Sequence, residues 1–284
     1  MSELKNGWYT QPERIRPGYV CSLKIKELLA EKGDVSLFRS ELFGLMMTES
    51  GNLRYAAHDA ALREMTVHCA LFAHEEPRRA LIVNGGDGAL AAEFLRHRSL
   101  ERLDVQERSE DVVKLAARYL PDAGKVFGDA RVELSEESLN DFLENRNEEN
   151  WDVICADCPD SATRIPAFLR TLKSILAPDG ILMIRCAPFF LAPKRAETVV
   201  LELSALFANA SFGLCPSPVH AGGHAILCAG SDVYDGARPV RKPLRSLANR
   251  LQFYTASCHK AIFQQPVFPG IGRLLTEETD DRDE

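Results

Sequence analysis

From about residue 60 onward, short apolar runs alternate with stretches whose apolar residues recur at helical spacing. Ala80 to Val83, Leu103 to Gln106, Arg131 to Leu134, Trp151 to Ala156 and Ile181 to Ile184 are short runs flanked by polar or turn residues, as expected of buried strands. Between them, Leu90, Phe94 and Leu95 share one helical face, and so do Val112, Leu115 and Ala116 in a helix expected over 111–119 and stopped by Pro121. Further helices are expected over 139–143, 165–176 and 196–207, with Pro178-Asp179-Gly180 as a turn and a late strand from His224 to Ala229. Upstream, Leu62 and Met65 to Phe72 form an apolar helix face that Glu75-Glu76-Pro77 closes. This order predicts an α/β fold, a mostly parallel sheet with helices on both faces. Residues 1–60 lack the alternation. Tyr19 to Ile25 and Val35 to Met47 carry β-like runs, Lys24 to Lys32 fits a helical turn or a strand edge, and Gly44, Gly51 and Asn52 mark turns. The expected organisation is a small, mainly β unit over 1–60, the α/β unit over 61–275, and a disordered acidic tail over 276–284.

The chemistry gathers around the first central strand. Asn84-Gly85-Gly86-Asp87-Gly88 follows it and opens a helix, and Glu107 ends the next strand. A strand, a glycine turn, a helix and an acid at the second strand tip describe a Rossmann-like nucleotide site, the acid accepting ribose hydroxyls. Gly86-x-Gly88-x-x-Ala91 also satisfies the dinucleotide fingerprint, so NAD and S-adenosyl ligands both fit the pattern. Asp87 favours the second. An acid inside the turn repels a pyrophosphate at the helix N-terminus and suits a sulfonium or an amine. Asp157 and Asp160 follow the strand from Trp151, so four acids fall at the carboxyl ends of parallel strands, where ligands of such sheets bind. Singly, each could be a turn residue or a cap, Asp160 above all.

Composition adds exclusions. A net charge of -7 argues against a nucleic-acid partner and suits a polycationic substrate. No run of about 18 apolar residues appears and the first residues hold no signal core, so a soluble, cytoplasmic protein without membrane contact is expected. The eight cysteines are scattered as reduced, buried thiols would be, and Cys155-x-x-Cys158 has no second pair, so neither a disulfide framework nor a metal site is expected.

Three blocks carry a resemblance to the spermidine synthase (polyamine aminopropyltransferase) family, in its divergent, compact bacterial form. The first is Arg63-Glu64-Met65-x-x-His68-x-x-Leu71-Phe72, continued by Leu81 to Gly88 and Asp104 to Glu107. The second runs from Asp129-Ala130-Arg131-Val132 to Asp152-Val-Ile-Cys-Ala-Asp157-x-x-Asp160. The third is Tyr254-Thr-Ala-Ser-Cys-His259-Lys-Ala-Ile-Phe263-x-x-Pro266. The resemblance implies a Rossmann-like catalytic unit behind a small β domain, assembled as a homodimer or homotetramer. It implies aminopropyl transfer from decarboxylated S-adenosylmethionine, a co-substrate and not a prosthetic group, to a diamine such as putrescine. By position, Gly85, Gly86, Asp87, Gly88, Glu107 and Ser138 would bind the donor, Asp87 its ammonium and Glu107 its ribose. Asp157 would face the attacking amine as the catalytic residue, with Asp160 helping to hold the acceptor.

This chain also departs from the family. Leu62-Arg63 stands where Tyr-His is usual, and Ser138 where an adenine-binding acid is usual. Cys158-Pro159 interrupts the gate after Asp157, and Val219-His220-Ala221-Gly222 replaces Tyr-Pro-Ser-Gly. A methyltransferase on the same sheet, or a binding paralogue without activity, are the competing readings. His68 and His259 read as packing histidines, Tyr254 and Phe263 as core or subunit contacts, and His220 and His224 as candidates to border the acceptor pocket.

Overall fold

A computed structural model gives the fold, and it describes residues 4–11, 21–146, 150–187 and 191–264. The expected acidic tail, Pro266 of the third block, Tyr19 and part of the 145–150 loop lie outside those residues.

Two sheets make up the architecture. The first is six-stranded and antiparallel: β1 Leu4–Lys5, β2 Trp8–Thr10, β3 Ser22–Lys32, β4 Val35–Ser40, β5 Gly44–Glu49 and β6 Asn52–Ala56, in that order. Lys24 to Lys32 is thus strand, not helix. Val35, Leu37 and Met47 of this sheet pack on Val112, Leu115 and Ala116, so the β unit closes one side of the larger sheet, while Tyr9, Phe38, Met46 and Ala56 form a small cluster of its own with Val219.

Helix α1 (Ala60–Ala73) leads from β6 into the second sheet. Along the chain come β7 Arg79–Val83, α2 Ala89–Phe94, β8 Arg102–Gln106, α3 Glu110–Tyr119, α4 Ala123–Val126, β9 Val132–Ser135, α5 Leu139–Glu144 and β10 Trp151–Asp157. They are followed by α6 Ile165–Ser174, β11 Leu176–Cys186, α7 Pro193–Leu206, β12 Asn209–Pro216, β13 His224–Ser231, α8 Arg245–Ala248 and α9 Ala256–Ile262. The seven strands lie in the order β12-β13-β11-β10-β7-β8-β9. Strands β7 to β11 are parallel, while β13 runs antiparallel to β11 and β12. Two apolar cores flank the sheet. One holds α1, Phe94 and Tyr254, the other Phe142, Trp151, Leu169 and Val199.

Two details differ from the sequence expectation. Pro178-Asp179-Gly180 is no free turn but a bulge within β11: Trp151 pairs with Leu176 and Val153 already with Ile181. Helix α6 accordingly ends at Ser174. Strand β12 was not foreseen, because its sequence Asn-Ala-Ser-Phe-Gly-Leu-Cys-Pro has little alternation to betray a strand. His68 and His259 are packed inside, as expected. Among the described residues no helix is long and apolar enough to cross a membrane.

Candidate active site

The glycine turn follows β7 as expected, and each of its residues has a local cause. Asn84 takes φ +56°, a left-handed conformation that Asn tolerates. Gly88 at φ +74° opens α2, where a side chain would be strained. Gly86 is needed for space: a Cβ there would sit 2.5 Å from Glu107 Cγ. The Asp87 carboxylate accepts the Ala89 N–H at 2.7 Å and is otherwise buried beneath the turn. Burial raises its pKa, against the pull of Arg54 and Arg185.

Above the carboxyl ends of these strands opens a pocket of about 1000 Å³, between β6 on one side and the 217–225 loop on the other. Asp157 and Asp160 line it, as do Asn84, Gln106, Leu139, His220 and His224. Asp87 and Glu107 are not among the lining residues, and both act on the charge of Arg54, which is. Glu107 is fully buried, its oxygens taking the Gly86 N–H at 3.1 Å, the Ser109 N–H at 3.0 Å and a short hydrogen bond from Arg54. Arg54, on β6, also donates to the Asn84 carbonyl and to Glu49, both at 2.9 Å.

Asp157 is more exposed than Glu107 and is held by one partner among the described residues. Arg185, one strand across in register, donates from Nε and Nη2 to its two oxygens at 2.6 and 2.8 Å. Burial alone would raise the Asp157 carboxyl; the Arg185 charge and hydrogen bonds outweigh it and leave the pKa below its ordinary value. The same pairing overcomes the desolvation of Arg185, whose pKa is raised. Asp160 faces Arg195, with 3.6 Å between Nη1 and a carboxylate oxygen.

On the opposite wall, the Ser217 hydroxyl lies 3.0 and 3.1 Å from the two Asp59 oxygens and 2.6 Å from His220 Nδ1. Burial lowers the His220 pKa, so its imidazole is neutral near pH 7. Gln11 of the β unit clasps this loop, donating to the Val219 carbonyl and accepting from the Ala221 N–H. Ser138 serves locally: its hydroxyl caps α5, accepting the Asp141 N–H at 3.2 Å and donating to the Asp141 carboxylate at 2.6 Å. Arg63, where the family has histidine, donates to the Ala56 and Ala57 carbonyls. Tyr55 lines the pocket from the β unit, with Tyr9 fully buried beside it and its hydroxyl donating to the Gly51 carbonyl at 2.8 Å. Cys158 and Cys186 line it too; all eight cysteines are free, and Cys155 faces the core.

Sequence reasoning missed Arg54, Arg185, Asp59, Ser217 and the tyrosines. Only Arg185 left a signal, as a cation directly after the apolar run Ile181 to Ile184, at the same kind of strand tip that singled out Asp157.

Residues 59–234 match the family described as "Spermine/spermidine synthase domain". The spermidine synthase of Dictyostelium discoideum is 28% identical over 282 residues, covering 94% of this chain and 98% of that one. The spermine synthase of Saccharomyces cerevisiae is 25% identical over 284 residues, covering 93% and 95%. The crystal structure of spermidine synthase from Thermotoga maritima superposes with a TM-score of 0.83 at 21% identity, covering 95% of this chain and 94% of that one. A spermidine synthase in complex with the transition state analogue AdoDATO gives 0.84 at 22%, with the same coverage, so the fold is shared throughout. The match runs from the start of α1 through the glycine turn to the strands carrying Asp157 and Arg185, and the chain is an enzyme of the spermine/spermidine synthase family.

Proposed function

We propose that this chain transfers the aminopropyl group of decarboxylated S-adenosylmethionine to a primary amine, releasing methylthioadenosine. The observation that carries the reading is a buried carboxylate in the glycine turn after β7, Asp87, with a second at the tip of the neighbouring strand β10, Asp157, which lines the pocket; the charges of Arg54 and Arg185 act on both. In this reading the turn 85–88 and Glu107 hold the nucleoside, and Asp87 holds the donor's ammonium. Asp157 orients the attacking amine, and Asp160 borders the acceptor. Ser138 contributes through the position of α5, beside Leu139 at the pocket wall.

The amine must attack as the free base, although its ordinary pKa lies near 10. Its lone pair forms the new C–N bond, the C–S bond breaks, and the electron pair returns to sulfur as a neutral thioether. The product ammonium then loses one proton to a carboxylate or to water. Most of the acceleration would come from holding two cationic reactants in line, which needs fixed negative charge. The reference acceptor in this reading is putrescine, with spermidine as product, beside relatives named both spermidine synthase and spermine synthase.

The test is product analysis. Purified protein given the donor and a panel of amines should yield methylthioadenosine and an amine extended by one aminopropyl group. Methyl transfer from S-adenosylmethionine, with no aminopropylated product, would contradict the reading. The 1–60 unit, in the same proposal, acts as the wall that brings Arg54, Tyr55 and Gln11 to the pocket.

A further inference from the structure

A pocket built for a donor and a diamine, both cationic, should be lined with uncompensated carboxylates. In this pocket arginines stand beside the carboxylates, with Asp87 and Asp59 also acting on Arg185 and Glu107 pairing with Arg54, although the whole chain carries a net charge of -7. Its lining includes Arg54, Arg63, Arg108, Arg164, Arg185 and Arg195, against the carboxylates Glu49, Asp59, Asp157 and Asp160. The carboxylate at the centre of the proposed chemistry is already paired, through both oxygens, with Arg185. Arg185 uses its Nε and Nη2 edge for that pair, so among the described residues its Nη1 meets no protein acceptor and the guanidinium keeps an open edge. Close by, Arg195 reaches the Cys158 carbonyl at 3.2 Å, while its Nε is buried without a partner among the described residues. A second ammonium brought to the open edge of Arg185 would meet a guanidinium first, with Asp87 and Asp59 also acting on it. A carboxylate would find a guanidinium held in place by Asp157, in the geometry that favours planar, two-point recognition.

We propose that Arg185 selects an acceptor bearing a carboxylate: an amino acid whose amine is aminopropylated, rather than a diamine. The inference rests on the transfer reading above and names its acceptor class. Asp157 takes the N–H of the attacking amine, and Arg185, one residue across the sheet, takes the acceptor's carboxylate. The Asp157–Arg185 pair thus forms a receptor for the opposite charges of an amino acid. The step is otherwise unchanged: the amine nitrogen bonds to the aminopropyl carbon attached to sulfur, that C–S bond breaks with its electron pair going to sulfur, and one proton passes to solvent.

The experiment compares acceptors of matched length, β-alanine and 4-aminobutyrate against 1,3-diaminopropane and putrescine. Decarboxylated S-adenosylmethionine is the donor, and the wild-type protein is compared with Arg185→Gln and Arg185→Lys. Methylthioadenosine release gives kcat/KM, and donor binding by calorimetry checks that each variant is folded. The expected result is a preference of about tenfold or more for the amino acids in the wild type. That preference should reverse in Arg185→Gln and narrow in Arg185→Lys, which keeps the charge and loses the planar fork. A wild type that prefers diamines overturns the inference and leaves the transfer reading intact. So does a wild type inactive with every amine when Arg185→Gln turns over diamines, because Arg185 would then be a plug. A parallel arm supplies S-adenosylmethionine as donor. Transfer of its 3-amino-3-carboxypropyl group would assign the carboxylate to the donor and overturn the acceptor assignment. No transfer from either donor to any amine, in any variant that binds donor, would defeat the transfer reading and this inference with it.

Discussion

At the scale of single residues, two carboxylates of the site are each answered by an arginine. Glu107 is paired with Arg54 and Asp157 with Arg185. Removing the Asp157 charge, in Asp157→Asn, keeps the shape and should lower kcat/KM for methylthioadenosine release roughly 10²–10⁴-fold with little change in donor affinity. Gly86→Ala tests the donor side. Its new methyl group would press on Glu107, which Arg54 and two backbone N–H groups hold in place. Overpacking of this kind costs about 1–3 kcal/mol, and a donor titration should show weakened binding in the same variant. The acids were legible in the sequence because a parallel sheet puts strand tips on one rim, and the strand tips could be read. Their partners were not. Arg54 lies in β6, and nothing local in Asn-Leu-Arg-Tyr-Ala says that the β unit folds back onto the glycine turn.

At the scale of elements, the α/β alternation could be read because each parallel strand is covered on both faces and so becomes an uninterrupted apolar run. The antiparallel edge was harder, since β12 packs Phe212 and Cys215 inward among small and polar neighbours. The C-terminal segment is tied to the sheet by Glu64 of α1. Its buried carboxylate accepts the N–H groups of Gln252, Phe253 and Tyr254 at 2.7, 2.8 and 2.8 Å. This latch accounts for the Glu in the first family block and for the neighbouring Tyr254 in the third. Glu64→Ala leaves three donors without a partner and should lower unfolding free energy by about 3 kcal/mol, as read from denaturant midpoints. A denaturation curve unchanged by that substitution would remove Glu64 as the latch.

At the scale of the molecule, burial lowers the pKa of His74, His97, His220 and His259, and the two with the largest shifts show how acid stability responds. Burial, with His68 and Arg241 adding to it, pushes His97 down to about 2. Burial also pushes His259 down to about 4, against the opposing pull of the Gly236 carbonyl and Asp235. Both folded values lie below the ordinary 6.5, so the unfolded chain binds more protons as pH falls through 6.5, and the folded state loses stability from there downward. By pH 5.5 the loss should be about 1.4 kcal/mol for each histidine, read as a falling midpoint in urea between pH 7.5 and 5.5. Asp157 works at lower pH. Its depressed value means that its contribution is complete above the ordinary carboxylate value and is lost only as pH falls below it. The central claim, that the pocket presents an amine to an aminopropyl sulfonium beside Asp157, is met most directly by one kinetic measurement. Decarboxylated S-adenosylmethionine is mixed with excess enzyme and a saturating mixture of amines and amino acids, and methylthioadenosine is followed through a single turnover. The account predicts release that requires the acceptor and slows roughly 10²–10⁴-fold in Asp157→Asn. Acceptor-dependent release at the same rate in both proteins, or bound donor returned unchanged from the wild type, would contradict it.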